Sequence, residues 1–371
     1  MRKNRALFLM LTAFVMSTNR AHAETHYAVV NGWPQLPSGT ILGDVSGVAL
    51  DSKGDVFIVS RAENSFASGD LNTVKPISSN SVIAFDRVTG KVSSLWGAGL
   101  FKMPHGLRID GEDNVWVTDI ILQQVFKFSR TGKLLLKVGT ADILGCDATH
   151  FNGPTDIAVL PDGSFYVADG YGSSRIAKFS ADGRFEFSWG RCATAPMENL
   201  TVYLQARSGA ELGVSKPTQP VRKSYDGPAD FNTPHSIIYD PVDRLLYVAD
   251  RDNARIQVFG PDGRHVRTLK SEELGRPWAL AMGPDRNLYV VDGGDLSDGP
   301  EGGLEKPYRE AIMKVSLNGK VLSKWSGFGN QNGNIYWGHD IAVDRDGAVY
   351  VGDVSYGMRI QKFVLSTESR H

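Results

Sequence analysis

From Thr155 to Gly190 the chain reads TDIAVLPDGSFYVADGYGSSRIAKFSADGRFEFSWG: short runs of Val, Ile, Phe, Tyr and Ala, each stopped by Asp, Gly, Ser or Pro. Apolar runs of this length, punctuated in this way, are strands joined by tight turns. The phrase recurs as SGVALDSKGDVFIVSR from Ser46, HGLRIDGEDNVWVTD from His105, HSIIYDPVDRLLYVADRDNARIQVF from His235, WALAMGPDRNLYVVDGG from Trp278 and HDIAVDRDGAVYVGDVSYGMRIQKF from His339. Repeated four-stranded units arranged about an axis predict an all-β, six-bladed β-propeller. Asp162-Gly163, Asp262-Gly263 and Asn318-Gly319 predict hairpin turns in which both central residues take positive φ. The sixth copy ends shortly after Phe363, so Tyr27 to Trp33 (YAVVNGW) is expected to supply its fourth strand and close the ring from the N-terminus.

Length changes this picture little. The 371 residues suggest two or three domains by size alone, but repetition lets one propeller grow without a second core, and residues 24–371 are read as one domain. Residues 1–23 read as a cleaved signal peptide: Arg2, Lys3 and Arg5, an apolar stretch from Ala6 to Met16, then Ala21-His22-Ala23 as the cleavage site. The competing reading is an uncleaved anchor, although the apolar stretch is too short for a spanning helix. The expected location is secreted or periplasmic, without stable membrane insertion. A formal net charge of -1 and the lack of a basic run give no footprint for nucleic acid. Cys146 and Cys192 are the two cysteines; in an exported chain they form one disulfide or remain two thiols.

Seven histidines lie beyond the leader: His26, His105, His150, His235, His265, His339 and His371. Three of them, His105, His235 and His339, open their repeats, where the others carry Ser46, Thr155 and Trp278. They fall in blades two, four and six, about 120° apart in a six-bladed ring, on the strand that lines the axis. Three converging imidazoles make a zinc site with an open fourth position; the bland alternative is three separate buried histidines. Arg61, Tyr171 and Arg251 follow second strands and are expected at the mouth above the metal, the alternative being ordinary surface and packing roles. Asp340 follows His339 and, by strand alternation, should point away from it, either holding a hard cation or capping a turn.

The repeats resemble NHL repeats, in which the Asp169/Arg175 and Asp250/Arg255 pairs are scaffold. From about Gly43 to Phe363 the chain is also similar to the peptidyl-α-hydroxyglycine α-amidating lyases (peptidylamidoglycolate lyases). The resemblance is carried by VSGVALD, MPHGLRIDGEDNVWVTDIILQQVFKFS, GPTDIAVLPDGSFYVADGYGSSRIAKFS, FNTPHSI, YVADRDNARIQVF and GHDIAVDRDGAVYVGD. It implies a lyase that splits a peptidyl-α-hydroxyglycine, or a small N-acyl-α-hydroxyglycine, into an amide and glyoxylate. It implies zinc on His105, His235 and His339, and a structural calcium on the carbonyls of Val48 and Leu107 and the carboxylate of Asp340. It matches Arg61, Tyr171 and Arg251 to substrate-contacting and catalytic positions, and the chemistry of the reaction then makes Tyr171 the candidate base, Arg61 the clamp on the substrate carboxylate and Arg251 the group tuning Tyr171. A free phenol titrates at about 10, so neighbouring cations must favour its ionised form.

Departures from the family are plain. Trp337-Gly338 stands where members usually have Met-Pro, Gly172 replaces a disulfide cysteine, and residues 191–231 form an insertion on the site face that could cover or reshape the entrance. No copper monooxygenase domain is seen, so the hydroxylated substrate is expected from a separate protein. Two other classes compete: a non-enzymatic propeller that binds a peptide or glycan, and a lactonase-like hydrolase, which would want a more acidic channel.

Overall fold

The computed structural model of the chain describes residues 26–65, 73–193, 227–294, 310–355 and 357–366. The proposed leader 1–23 and most of the 191–231 insertion lie outside the described residues. Within them, six four-stranded sheets make up the propeller. Blade one is β2 (Val45–Leu50), β3 (Val56–Ser60), β4 (Val82–Phe85) and β5 (Val92–Trp96). Blade two is β6 (Pro104–Ile109), β7 (Val115–Asp119), β8 (Gln124–Phe128) and β9 (Leu134–Val138). Blade three is β10 (Pro154–Val159), β11 (Phe165–Asp169), β12 (Ser174–Phe179) and β13 (Phe185–Arg191). Blade four is β14 (Pro234–Asp240), β15 (Leu245–Asp250), β16 (Arg255–Phe259) and β17 (His265–Leu269). Blade five is β18 (Pro277–Met282), β19 (Leu288–Asp292), β20 (Ala311–Val315) and β21 (Val321–Trp325). Blade six is β22 (Gly338–Val343), β23 (Val349–Asp353) and β24 (Arg359–Leu365), completed by β1 (Tyr27–Val29).

Burial follows distance from the axis. Second strands such as FYVAD and LYVVD are buried throughout, because neighbouring blades cover both faces. Outer strands such as β5 and β13 alternate between half-buried and exposed residues, the pattern of a sheet with one wet side. The core is therefore a ring of clusters between blades. One joins Phe57, Phe101 and Val117 of blades one and two, and another joins Phe165, Phe179 and Trp116 of blades two and three.

Closure is as the sequence predicts, with a shorter ladder. Tyr27, Ala28 and Val29 pair with Leu365, Val364 and Phe363, and the Val30 N–H still reaches Lys362 O at 2.8 Å. The segment then turns, and Trp33 packs against Phe85 of blade one and Tyr350 of blade six. Tyr27 stacks on Trp325 of blade five, with ring centroids 4.2 Å apart. This short segment thus touches three blades.

The turns differ from expectation. Gly163, Gly263 and Gly319 have positive φ, while Asp162, Asp262 and Asn318 before them do not. The Gly163 N–H bonds to Leu160 O (2.9 Å) and the Leu160 N–H to Ser164 O (2.8 Å), which makes a longer hairpin loop with the glycine in the left-handed position. The aspartate uses its side chain instead: Asp162 Oδ1 accepts the Ser164 N–H at 3.0 Å, and Asp262 Oδ1 accepts that of Arg264 at 3.1 Å.

The repeated Asp/Arg pairs fasten each incoming loop. Asp169 accepts the Asn152 N–H (2.8 Å) and Arg175 Nε (3.0 Å), while Arg175 Nη2 donates to His150 O (2.7 Å). Asp250/Arg255 and Asp353/Arg359 repeat the ion pair. On the same loop a disulfide joins Cys146 to Cys192, with Cα atoms 5.6 Å apart, tying the connection between blades two and three to the end of blade three. Two outcomes check this reading. Asp169→Ala strands the buried Arg175 charge, so urea unfolding should show a loss of about 3–5 kcal/mol. A peptide map without reductant should recover the Cys146 and Cys192 peptides linked.

Candidate metal centre

Each inner strand carries the site residue as its second position: Ser46, His105, Thr155, His235, Trp278 and His339. In every blade the pairing register with the second strand shifts at this residue. A bulge there leaves one residue outside the ladder and re-aims its side chain. The three imidazoles therefore reach the axis together. Their available ligand atoms lie within 4.8 Å of one another, and His339 Nε2 is 3.1 Å from His105 Nε2.

What orients them is a ring of carbonyls. His105 Nδ1 lies 2.8 Å from Thr155 O, His235 Nδ1 2.7 Å from Trp278 O, and His339 Nδ1 2.7 Å from Ser46 O. A carbonyl accepts only, so each Nδ1 carries the proton and each Nε2 keeps its lone pair toward the axis. The acceptor is always the register residue of the next blade. Burial holds all three rings well below the usual histidine value, and the neighbouring imidazoles, Arg61 and Arg251 push in the same direction. Neutral imidazoles with bound Nδ1 protons are the metal-ligating form.

Above the histidines stands Tyr171, in the turn after β11. Its hydroxyl is 2.9 Å from His105 Nε2 and 3.2 Å from His235 Nε2. Arg251, opening a short 3-10 turn through Asn253, lays its guanidinium over the Tyr171 ring at 5.5 Å and the Trp278 ring at 4.8 Å. Arg61 is also near, but not at an open mouth. It is fully buried, with Nη1 on Asp44 (3.3 Å) and Nε on Pro104 O (3.1 Å), and its charge acts on Tyr171 and on the His105 and His339 rings. Trp278, read from sequence only as a register residue, forms the aromatic wall beside His235 and His339. Of the other histidines, His150 pairs with Asp147, His265 sits on the outer strand β17, and His371 lies outside the described residues.

The channel continues past the histidines to Asp340, Arg108 and Asp156. Asp340 was expected to point away from His339, yet both line the same cavity, because the bulge at His339 breaks simple alternation. Asp340 Oδ2 accepts the Val48 N–H at 2.8 Å and Arg108 Nη1 at 2.8 Å. The same Nη1 donates to Leu107 O at 2.8 Å. Arg108 Nη2 reaches Asp156 Oδ2 at 2.5 Å and Ser236 Oγ at 3.3 Å. Burial pushes both carboxyls up while Arg108 draws them down. Burial likewise opposes the Arg108 charge, and the two carboxylates outweigh it, holding Arg108 above the ordinary arginine value. The three-histidine set fits a metal ion with a position left for a ligand. The oxygen set does not fit a calcium ion as the chain stands: Leu107 O and Asp340 Oδ2 are both engaged by one guanidinium. Sequence reasoning missed Arg108; the available signal was a basic residue inside an otherwise apolar inner strand.

Comparison with known proteins places the chain in a family. The NHL repeat model matches residues 151–179 and 231–259. Peptidyl-alpha-hydroxyglycine alpha-amidating lyase 2 of Drosophila melanogaster is 30% identical over 363 residues, covering 91% of this chain and 75% of that protein. The chain belongs to the peptidyl-α-hydroxyglycine α-amidating lyase family. Peptidyl-glycine alpha-amidating monooxygenase A of Xenopus laevis is 35% identical over 342 residues, which cover 89% of this chain. This lyase-family chain spans about a third of such monooxygenases, 32% in that case. A streptogramin B lyase shares the fold, with a TM-score of 0.53 at 13% identity over 92% of this chain and 98% of that one.

The site makes a simple demand on metal content. Purified protein should hold a divalent transition metal, and His235→Ala, lacking one of the three ligands, should lose most of it by elemental analysis. Equal metal in the variant would remove His235 from the centre.

Proposed function

We propose that this protein is a zinc-dependent lyase that cleaves a peptidyl-α-hydroxyglycine, or a small N-acyl-α-hydroxyglycine, to an amide and glyoxylate. The observation that carries the reading is the Tyr171 hydroxyl held against the Nε2 atoms of His105 and His235. A phenolic base is thereby placed beside the position that three neutral imidazoles offer to a metal. Zinc suits three nitrogen ligands and, when bound, supplies Lewis acidity that lowers the pKa of the substrate hydroxyl.

The chain's own residues do the rest. Tyr171, ionised, accepts the carbinol proton. The electron pair of that O–H bond becomes the second bond of the glyoxylate carbonyl as the C–N bond breaks with its pair going to nitrogen, and the proton held by Tyr171 passes to that nitrogen, which gives the amide, restores the phenolate and closes the balance. Arg61 favours the ionised phenol, because its buried charge acts directly on Tyr171. Arg251, lying on the aromatic wall of Tyr171 and Trp278, is the better placed to meet the glycine carboxylate. This division reverses the one expected from sequence.

The α-hydroxyl is installed by a hydroxylating monooxygenase acting before this protein. The reading also places the protein outside the cytoplasm, secreted or periplasmic after loss of residues 1–23, where its disulfide is stable.

Three expected outcomes test the proposal. Protein as purified contains about one zinc per chain and releases glyoxylate from α-hydroxyhippurate, whereas zinc-loaded protein inert toward every α-hydroxyglycine tried would favour a binding module. Tyr171→Phe keeps its zinc and its fold but loses at least about 100-fold in kcat; near-normal turnover would exclude Tyr171 as base. Arg251→Ala raises KM by about 10- to 100-fold, the worth of a charge-assisted hydrogen bond, while Arg61→Ala acts mainly on kcat; the opposite split would restore the sequence-based assignment.

A further inference from the structure

Asp340 and Asp156 approach the channel from blades six and three, which face each other across the axis. Both are almost fully buried, at 4% and 2% exposure. Two carboxylates so placed need a cation between them, since buried charge is tolerated only when paired. The resemblance to amidating lyases assigns that place to calcium, held by Asp340 and the Leu107 and Val48 carbonyls. Here Arg108 is already there. One guanidinium nitrogen takes Leu107 O and Asp340 Oδ2, each at 2.8 Å, and the other takes Asp156 Oδ2 and Ser236 Oγ.

We propose that the Arg108 guanidinium is the resident cation of the lower channel, standing in for calcium, so that this protein closes its ring without that metal. Through its partners Arg108 reaches every blade. Asp340 of blade six also accepts the Val48 N–H of blade one. Asp156 of blade three accepts the Ile237 N–H of blade four at 2.9 Å. Ser236 Oγ accepts the Leu280 N–H of blade five at 3.2 Å, and Arg108 itself springs from blade two. A calcium ion takes six to eight oxygen ligands at about 2.3–2.6 Å. The carboxylates that it would need here are held by a fixed, covalently tethered charge, which leaves it no vacancy. Because the consequence is read as calcium content and melting temperature rather than turnover, it stands or falls independently of the lyase reading.

The experiment compares the full-length wild-type protein with Arg108→Lys and Arg108→Met after dialysis against calcium chloride. Calcium and zinc are measured in the same samples, and melting curves are recorded with and without added calcium. Wild type should hold no stoichiometric calcium and melt at the same temperature in both conditions. Arg108→Lys, which keeps a cation, should behave likewise. Arg108→Met should melt lower without calcium, bind about one calcium per chain, and regain several degrees on its addition, with zinc content unchanged. Stoichiometric calcium in the wild type, or a wild-type melting temperature that rises with calcium, would overturn the proposal whether or not the variants fold. A folded Arg108→Met protein that ignores calcium would overturn it as well.

Discussion

The innermost strand of every blade has one edge paired and one edge facing the axis, and that second edge meets no other strand. Its N–H and C=O groups are buried and must still be satisfied. Side chains from neighbouring blades do this. His105, His235 and His339 each give a proton to the carbonyl of the next blade. Ser46 and Thr155 donate to Pro104 O and Pro234 O in the same sense around the ring. Asp340, Asp156 and Ser236 accept inner-edge N–H groups. The metal-ligating posture of the three histidines follows from this belt: once each Nδ1 is committed to a carbonyl, each Nε2 has only the axis left to face.

The same constraint explains why histidine alternates with other residues. An imidazole in every blade would crowd six rings into one narrow channel. With His in even blades, the odd blades supply the accepting carbonyls and remain free to carry Ser46, Thr155 and Trp278. Position, tautomer and spacing of the three imidazoles thus belong to the scaffold, and the polar side chains around them come from loops above it: Tyr171 after β11, Arg251 after β15 and Arg61 after β3.

Much of this was legible in the chain. Strand lengths, turn residues and the recurring phrase gave the propeller, because each blade repeats the same local physics. Counting blades placed His105, His235 and His339 around one axis, and the spare segment at Tyr27 pointed to closure. The failures share a cause: they concern a local departure from the regular strand or a contact between distant blades. Strict alternation put Asp340 on the wrong side because a bulge at His339 leaves no mark in composition. Asp162-Gly163 suggested a tighter turn because the dipeptide does not reveal which residue begins the loop. Arg61 looked like a mouth residue, since nothing near it in sequence announces that Asp44 will be folded against it. Arg108 and Asp156 are 48 positions apart, and only the closed ring brings them together.

Trp278 has one more consequence. Three like imidazoles around an axis, each bonded to the next blade, form a centre of near three-fold symmetry. The odd blades decide whether it stays so, and they are unequal: a serine, a threonine and an indole. With the Trp278 ring packed on His235 and His339 and the Tyr171 hydroxyl against His105 and His235, the three sides are no longer equivalent. The space above the histidines therefore has an indole on one flank and a phenol on another, and part of that inequality is set by the residue that a single odd blade carries where the even blades carry histidine.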